Sequence, residues 1–393
     1  MQRAEGRLPG RKGGVRPPTT ARALAVLLLA GTAACTLEAR PPAHSPRSAA
    51  ATHAPTVERE PSASESTTST TDDLPATTVL ITGDVMLGRR VGARLARVGD
   101  PAAALRPIAR RLAAADLTIG NLESTLSRAG APRQGGDSFA ADPSARRGLR
   151  LAGFDVLSLA NNHTGDFGPR ALVQTVQRVR KAGIRPVGAG EDLDRAAKPV
   201  LVTRNGVRFG IVAFDAIGET HAATGVRPGV LRVRMQPRTG PLVRSDLDRV
   251  LDIVRGLRER VDVVLVLPHW GTQYTTRTVR DQRVVARALV RAGADAVVGG
   301  HPHWVQGVER VRGSLVAYSM GNFVFDMGFM RETQEGAVLE LSFRGPDLAK
   351  ARIMPIVIGA DFAPRVARGA RATAILERVR RASRPPLRGY PLG

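Results

Sequence analysis

The sequence predicts an α/β domain, and three observations carry that prediction. From Thr77 onward, short runs rich in Val, Ile and Leu alternate with longer stretches of helical period. The run at 261–268 is almost continuously apolar, which fits a strand buried on both faces and requires helices or a second sheet to cover it. Polar residues able to bind metals or move protons recur just behind these runs, where a rigid sheet presents functional groups.

Composition bounds the class. The roughly 310 residues from Thr77 onward suffice for one large domain. Hydrophobic residues make up 43% of the chain but aromatics only 4%, so the core is built mainly from Val, Leu, Ile and Ala. The formal charge is +23, and with only four lysines (Lys12, Lys181, Lys198, Lys350) the excess is Arg. Such a surface favours polyanionic partners by long-range steering, screened beyond about 8–10 Å at ordinary salt. Nucleic acid is not expected, because no aromatic-basic platform or groove-reading motif accompanies the charge. Cys35 is the only cysteine, so no intrachain disulfide forms.

The first 35 residues form a signal segment: a basic stretch to Arg22, an apolar run from Ala23 to Ala30, and small residues before Cys35. The run is short for a membrane span. The small residues before a single cysteine resemble a bacterial lipoprotein cleavage box, which makes Cys35 the lipidated first residue; Thr32 stands where Leu is usual. The alternative is ordinary cleavage near Ala34. Either way the mature chain is exported, anchored at the outer face of the cell membrane or secreted. Residues 36–76 are rich in Ser, Thr, Pro and Ala without apolar period, and are expected to act as a disordered linker.

The domain, drawn as 77–385, opens with the β-rich run 77–82 and then Gly83-Asp84-Val85-Met86-Leu87-Gly88-Arg89. Asp84, one residue past a glycine at a strand end, is placed to bind a metal or to cap a turn. Arg89, at the start of the next helical stretch, is placed to hold a phosphate or carboxylate. A helix is expected at about 101–114, then a strand at 116–120 ending in Asn121-Leu122-Glu123. Asn121 and Glu123 fall on one side of an extended segment, and both offer oxygen ligands. After a helix near 143–152, the strand 155–160 delivers Asn161-Asn162-His163-Thr164-Gly165-Asp166. An amide, an imidazole and an acid share this loop, which suits a metal-bound amide beside a general acid. Asp166 is expected to cap the helix at 169–182.

Asn205-Gly206 joins two strands in a hairpin, the second running from Val207 to Phe214. Residues 218–243 form a long loop over one face; its His221 has no partner nearby in sequence and stays outside the site. A helix at 244–259 leads to the buried strand 261–268, which ends in His269-Trp270-Gly271. A helix at 279–293 precedes the strand 294–298 and Gly299-Gly300-His301-Pro302-His303. Strands at 336–343 and 351–357 and a basic helix near 371–382 complete the domain.

Five strand ends thus carry candidate ligands in order: Asp84; Asn121 and Glu123; Asn162 beside His163; His269; and His301 with His303. Alternating strands and helices bring such ends to a common edge. Mixed nitrogen and oxygen donors there suit one or two divalent ions, Mn, Fe or Zn rather than Mg or Ca.

This order resembles the calcineurin-like metallophosphoesterase superfamily and, more closely, the CapA family of bacterial poly-γ-glutamate capsule-biosynthesis proteins. The residues that carry it are Gly83 to Arg89, Asn121-Leu122-Glu123, Leu159-Ala160-Asn161-Asn162-His163, His269-Trp270-Gly271, His301-Pro302-His303 with Gln306, and Tyr318-Ser319-Met320-Gly321-Asn322-Phe323. Six motifs in order are specific, and the resemblance covers about residues 77–345 and the tail behind them. Two departures from the superfamily stand out. Met86 takes the place of the second ligand in Asp-x-His, and Asn121-Leu122-Glu123 replaces the bridging Gly-Asp. From the CapA pattern, Gln273 stands where Glu is usual, and an amide there cannot act as a base.

The resemblance implies a four-layer α/β/β/α metallophosphoesterase-like sandwich with mixed sheets. It also implies that Asp84 and His303 hold one metal and that Asn162, His269 and His301 hold a second, with Glu123 or Asn121 between them. His163 would protonate the leaving group, and Arg89 would join it in catalysis. The expected partners are an anionic polymer or phosphorylated substrate, and membrane polymer-synthase components. Cleavage of a γ-glutamyl amide would use the same ligands. A different class also fits: a non-catalytic accessory protein that binds or anchors an anionic polymer during export.

Overall fold

The computed structural model describes residues 75–383. The expected signal segment, Cys35, the linker up to residue 74 and residues 384–385 lie outside the described residues. The first strand begins at Ala76, one residue before the expected domain start.

Two mixed sheets form the centre. The first runs, edge to edge, through strands Pro364–Val366, Asp347–Ile358, Glu335–Arg344, Ala76–Val85, Leu117–Leu122, Val156–Ser158 and Arg185–Val187. Its last four strands are mutually parallel, and Asn322–Val324 also pairs in parallel with the end of Ala76–Val85. The second sheet runs through Val308–Val311, Ser314–Ala317, Ala296–Val298, Val263–His269, Val207–Asp215 and Val200–Arg204. It is parallel in the middle with an antiparallel hairpin at each edge. The hairpin turn at Asn205-Gly206 has φ of 48° and 80°, the positive pair that a primed two-residue turn requires.

Alternation along the strands sets the layers. Val79, Ile81, Leu117 and Ile119 of the first sheet pack on Phe209, Ile211, Val263 and Leu265 of the second, making an apolar core between them. The opposite face of the first sheet, with Leu80, Leu122 and Leu157, is covered by Val91, Leu95, Ile108, Leu172 and Val176 of helices Arg89–Val98, Arg106–Ala113 and Pro169–Lys181. The opposite face of the second, with Val264, Val266 and Val297, is covered by Leu247, Val250, Val254, Val285 and Leu289 of helices Arg244–Arg258 and Arg280–Ala292. The result is the expected four-layer α/β/β/α sandwich. The strand Val263–His269 reads as continuously apolar because both of its faces are covered. Helix Gly369–Ala382 contributes Ile375 and Val379 to the core between the sheets.

The helix expected at 101–114 is shorter, Arg106–Ala113, with turns over 101–105. Pro107 sits in its first turn, where a missing N–H costs nothing, and so marks the start. Among the described residues, the three apolar cores run from Val79 to Val379.

Candidate metal centre

The strand ends meet between the two sheets. Asp84 closes the central strand of the first sheet, and its carboxylate is completely buried. Its Oδ1 accepts from Asn121 Nδ2 at 2.9 Å, and its Oδ2 accepts from the backbone N–H of His301 at 3.1 Å, which ties the ends of both sheets together. Gly300 leaves room for this approach: a Cβ there would stand 2.6 Å from Asp84 Oδ1.

Glu123 follows strand Leu117–Leu122 and is likewise buried. Among the described residues neither of its carboxylate oxygens has a hydrogen-bond partner. Oε1 lies 3.5 Å from His269 Nε2 and 3.8 Å from His163 Nε2, close enough for charge attraction but too long for a good hydrogen bond. His269 ends strand Val263–His269, and its Nε2 also faces Asn162 Oδ1 at 2.9 Å.

His301 and His303 have φ of 97° and 58°, a left-handed backbone that side chains rarely adopt and that collects at functional sites. Both ring nitrogens of His301 are buried without a partner among the described residues, as is Nε2 of His303. His303 Nδ1 lies 2.9 Å from Asn322 Oδ1, while the Asn322 amide donates to Thr333 O at 2.9 Å. That network places the proton of His303 on Nδ1 and leaves Nε2 free to bind a cation.

Two groups of donors result, Glu123 with His269 and His301, and Asp84 with Glu123 and His303. In each, one donor atom per residue lies within 4.8 Å of the others, and Glu123 belongs to both. Buried carboxylate and imidazole atoms without hydrogen bonds are costly unless a cation takes them up. Their convergence here is compatible with a metal site.

The electrostatics agree. Burial, then the neighbouring Glu123, push Asp84 up to about 7, so a cation bound there displaces a proton. Burial would also raise Glu123, but His269, His303 and His163 around it hold it near 2. Burial holds His301 well below its ordinary value and lowers His303 too, keeping both neutral and ready to ligate. Burial pulls His269 down as well, yet Glu123 and Asp84 outweigh it and the net shift is upward.

His163 stands beside these groups. Its Nδ1 is 2.8 Å from Asp166 Oδ2, and its ring stacks on Phe139 at 3.7 Å. Asp166 therefore does not cap the following helix, whose N-cap is Gly168. It accepts from the Phe139 N–H at 2.7 Å and from Gln134, and so fixes the orientation of His163. Asn121 is drawn in, but by its nitrogen: its Oδ1 accepts from Asn161 at 3.0 Å, so it braces Asp84 instead of offering oxygen to a cation. Arg89 lies at the rim. It pairs with Asp326 and, at 3.5 Å, with Asp137, and its guanidinium sits 4.4 Å over the Phe139 ring. His221 lies on the surface beside Arg133, apart from the centre. Met86 is packed in the apolar core outside the first sheet and contributes no donor to either group.

Two residues matter more than the sequence suggested. Asn322 orients His303, and Asn161 locks its own loop by accepting from the N–H groups of His163 and Thr164. Both lie inside the motifs named above, and Asn161 directly follows an apolar run, which is the signal the sequence offers.

The family model for the bacterial capsule synthesis protein PGA_cap matches residues 78–327. The chain is 32% identical to the capsule biosynthesis protein CapA of Bacillus anthracis over 286 residues, 72% of this chain and 67% of that one. It is 31% identical to the PGA biosynthesis protein CapA of Bacillus subtilis over 282 residues, 70% of each chain. Among solved structures, the 5'-nucleotidase of Candida albicans is 14% identical with a TM-score of 0.43, covering 78% of this chain and 57% of that one. A likeness that distant adds nothing to the fold seen in the sheets themselves. The family model matches well over half of the chain and the CapA relatives match at about 32% identity, and the chain belongs to the bacterial capsule synthesis family PGA_cap.

Proposed function

We propose that this chain is an exported, membrane-tethered, metal-dependent hydrolase of the metallophosphoesterase type that acts in capsule or poly-γ-glutamate assembly. The observation that carries it is the pair of buried donor groups joined through Glu123, with an Asp-oriented histidine alongside. Asp84, Glu123 and His303 would hold one divalent ion, and Glu123, His269 and His301, with Asn162, the other. Such ions supply Lewis acidity toward the oxygens of an anionic ester. Arg89, its charge balanced by Asp326 and Asp137, borders the opening and offers N–H donors to an anionic group already held at the centre. His163, held by Asp166, hands a proton to the leaving atom. The covered, apolar surroundings of the site strengthen these interactions by excluding water. A phosphorylated substrate or an anionic polymer suits this chemistry, with a γ-glutamyl amide served by the same residues.

Elemental analysis of the purified protein, with turnover of a generic phosphodiester, tests this. Bound Mn, Fe or Zn together with metal-dependent turnover is expected, and absence of metal removes the hydrolytic reading. A second reading has an observation of its own. Met86 in the core leaves the Asp84 half of the centre with three donors, as a protein that binds an anionic polymer without turning it over would tolerate. Metal without turnover favours it.

Tethering rests on the sequence before Cys35. Cys35→Ser is expected to release the protein from membranes or leave an uncleaved precursor. Unchanged partitioning and processing would count against lipidation.

A further inference from the structure

Outward from the metal centre lies a cleft of about 340 Å³ lined by Arg89, Arg90, Asp137, Tyr274, Asp326 and Phe329. Tyr274 stacks on His303 with ring centroids 5.9 Å apart, and Phe329 meets Tyr274 edge-on at 5.4 Å. A ledge of two rings therefore runs from a ligand of the proposed centre to solvent. Phe329 is 61% exposed and Met330, the next residue in the chain, 39%. Scattered apolar exposure is ordinary, but an adjacent pair at the mouth of a polar site marks a surface that something covers.

The charges of the cleft are already balanced. Asp326 pairs with Arg89 and Arg90, and Asp137 with Arg89. The cleft therefore adds little attraction for an anion of its own, unlike the strongly basic chain as a whole. Arg89 and Tyr274 both have positive φ, 44° and 58°, so strained backbone presents two of its side chains.

We propose that this cleft is a subsite for a flat apolar group carried directly on the anionic head of the substrate. The head sits at the metal centre and the apolar group lies along Tyr274 and Phe329. The proposal rests on the metal-centre reading above. An aromatic group gains both area and edge geometry there, whereas a small alkyl group reaches neither ring.

Calorimetric binding of phenylphosphonate and methylphosphonate to the Mn-loaded protein tests this, since the two share a head and differ only in the ring. The wild type is expected to bind the phenyl compound about tenfold more tightly. Phe329→Ala should bring that ratio close to one and Phe329→Trp should keep it. Val226→Ala, at an apolar position 96% exposed and outside this cleft, should also keep the wild-type ratio. Equal affinities in the wild type, or a ratio unchanged by Phe329→Ala, overturn the subsite and leave the metal-centre reading intact. Failure of both ligands to bind overturns the metal-centre reading, and the subsite with it.

Discussion

His301 and His163 are separated by what touches their ring nitrogens. Both nitrogens of His301, which stands among the donors of one group, are buried with no partner among the described residues. Nδ1 of His163 is bound to Asp166, and its Nε2 stands further from Glu123 than His269 does. His301→Ala is therefore expected to lower metal content. His163→Ala should retain metal and lose turnover by roughly 10²–10⁴-fold, as removal of a general acid does. Elemental analysis beside a phosphodiesterase assay checks both, and equal loss of metal in the two variants would make His163 a ligand. At this scale the acids and imidazoles were legible, because Asp84, His269 and His301 each follow an apolar run that announces a strand end. The amides were not. Whether Asn121 offers oxygen or nitrogen is decided by Asn161, forty residues away, and no local pattern encodes that.

Strand Asn322–Val324 is three residues long and pairs with Ala76–Val85 exactly where Asp84 sits, with Asp84 opposite Asn322. Its work is orientation, since Asn322 reaches His303 from the first sheet while His303 follows a strand of the second. Asn322→Leu removes the acceptor that fixes the imidazole and is expected to weaken metal affinity by about 10–100-fold. Metal titration checks this, and unchanged affinity would show that His303 is held by its own loop. The longer elements were legible to within a few residues, since alternation and helical period are local. The pairing of a short strand with a partner more than two hundred residues earlier is a property of register, which only the folded sheets reveal.

The whole molecule depends on the apolar layer between the sheets, because each sheet carries part of the centre. Leu265 is fully buried in that layer. Leu265→Ala is expected to cost about 2–5 kcal/mol, while Leu201→Ala, at a position 41% exposed, should stay within about 0.5 kcal/mol. Denaturant unfolding measures both, and a small effect at Leu265 would mean that the layer repacks. The α/β class followed from alternation alone. The division of its strands into two facing sheets came only with the family resemblance, because a strand covered on both faces looks the same against helices as against another sheet.

The sharing of Glu123 has a consequence in electroneutrality. The two donor groups contain only two carboxylates, Asp84 and Glu123, and otherwise imidazoles, which carry no charge once they ligate a cation. One divalent ion balances them. A second leaves two uncompensated positive charges in a buried place, a state of high energy unless an anion enters with it. Filling of the centre is thus expected to be coupled to anion uptake: the first equivalent of Mn binds in buffer alone, and the second binds tightly only with phosphate present. Titrations with and without phosphate decide it, and two equal equivalents in anion-free buffer would show that some other group supplies the missing charge. On this view a filled centre carries an anion with it, and a new anion enters only by exchange with the one in place.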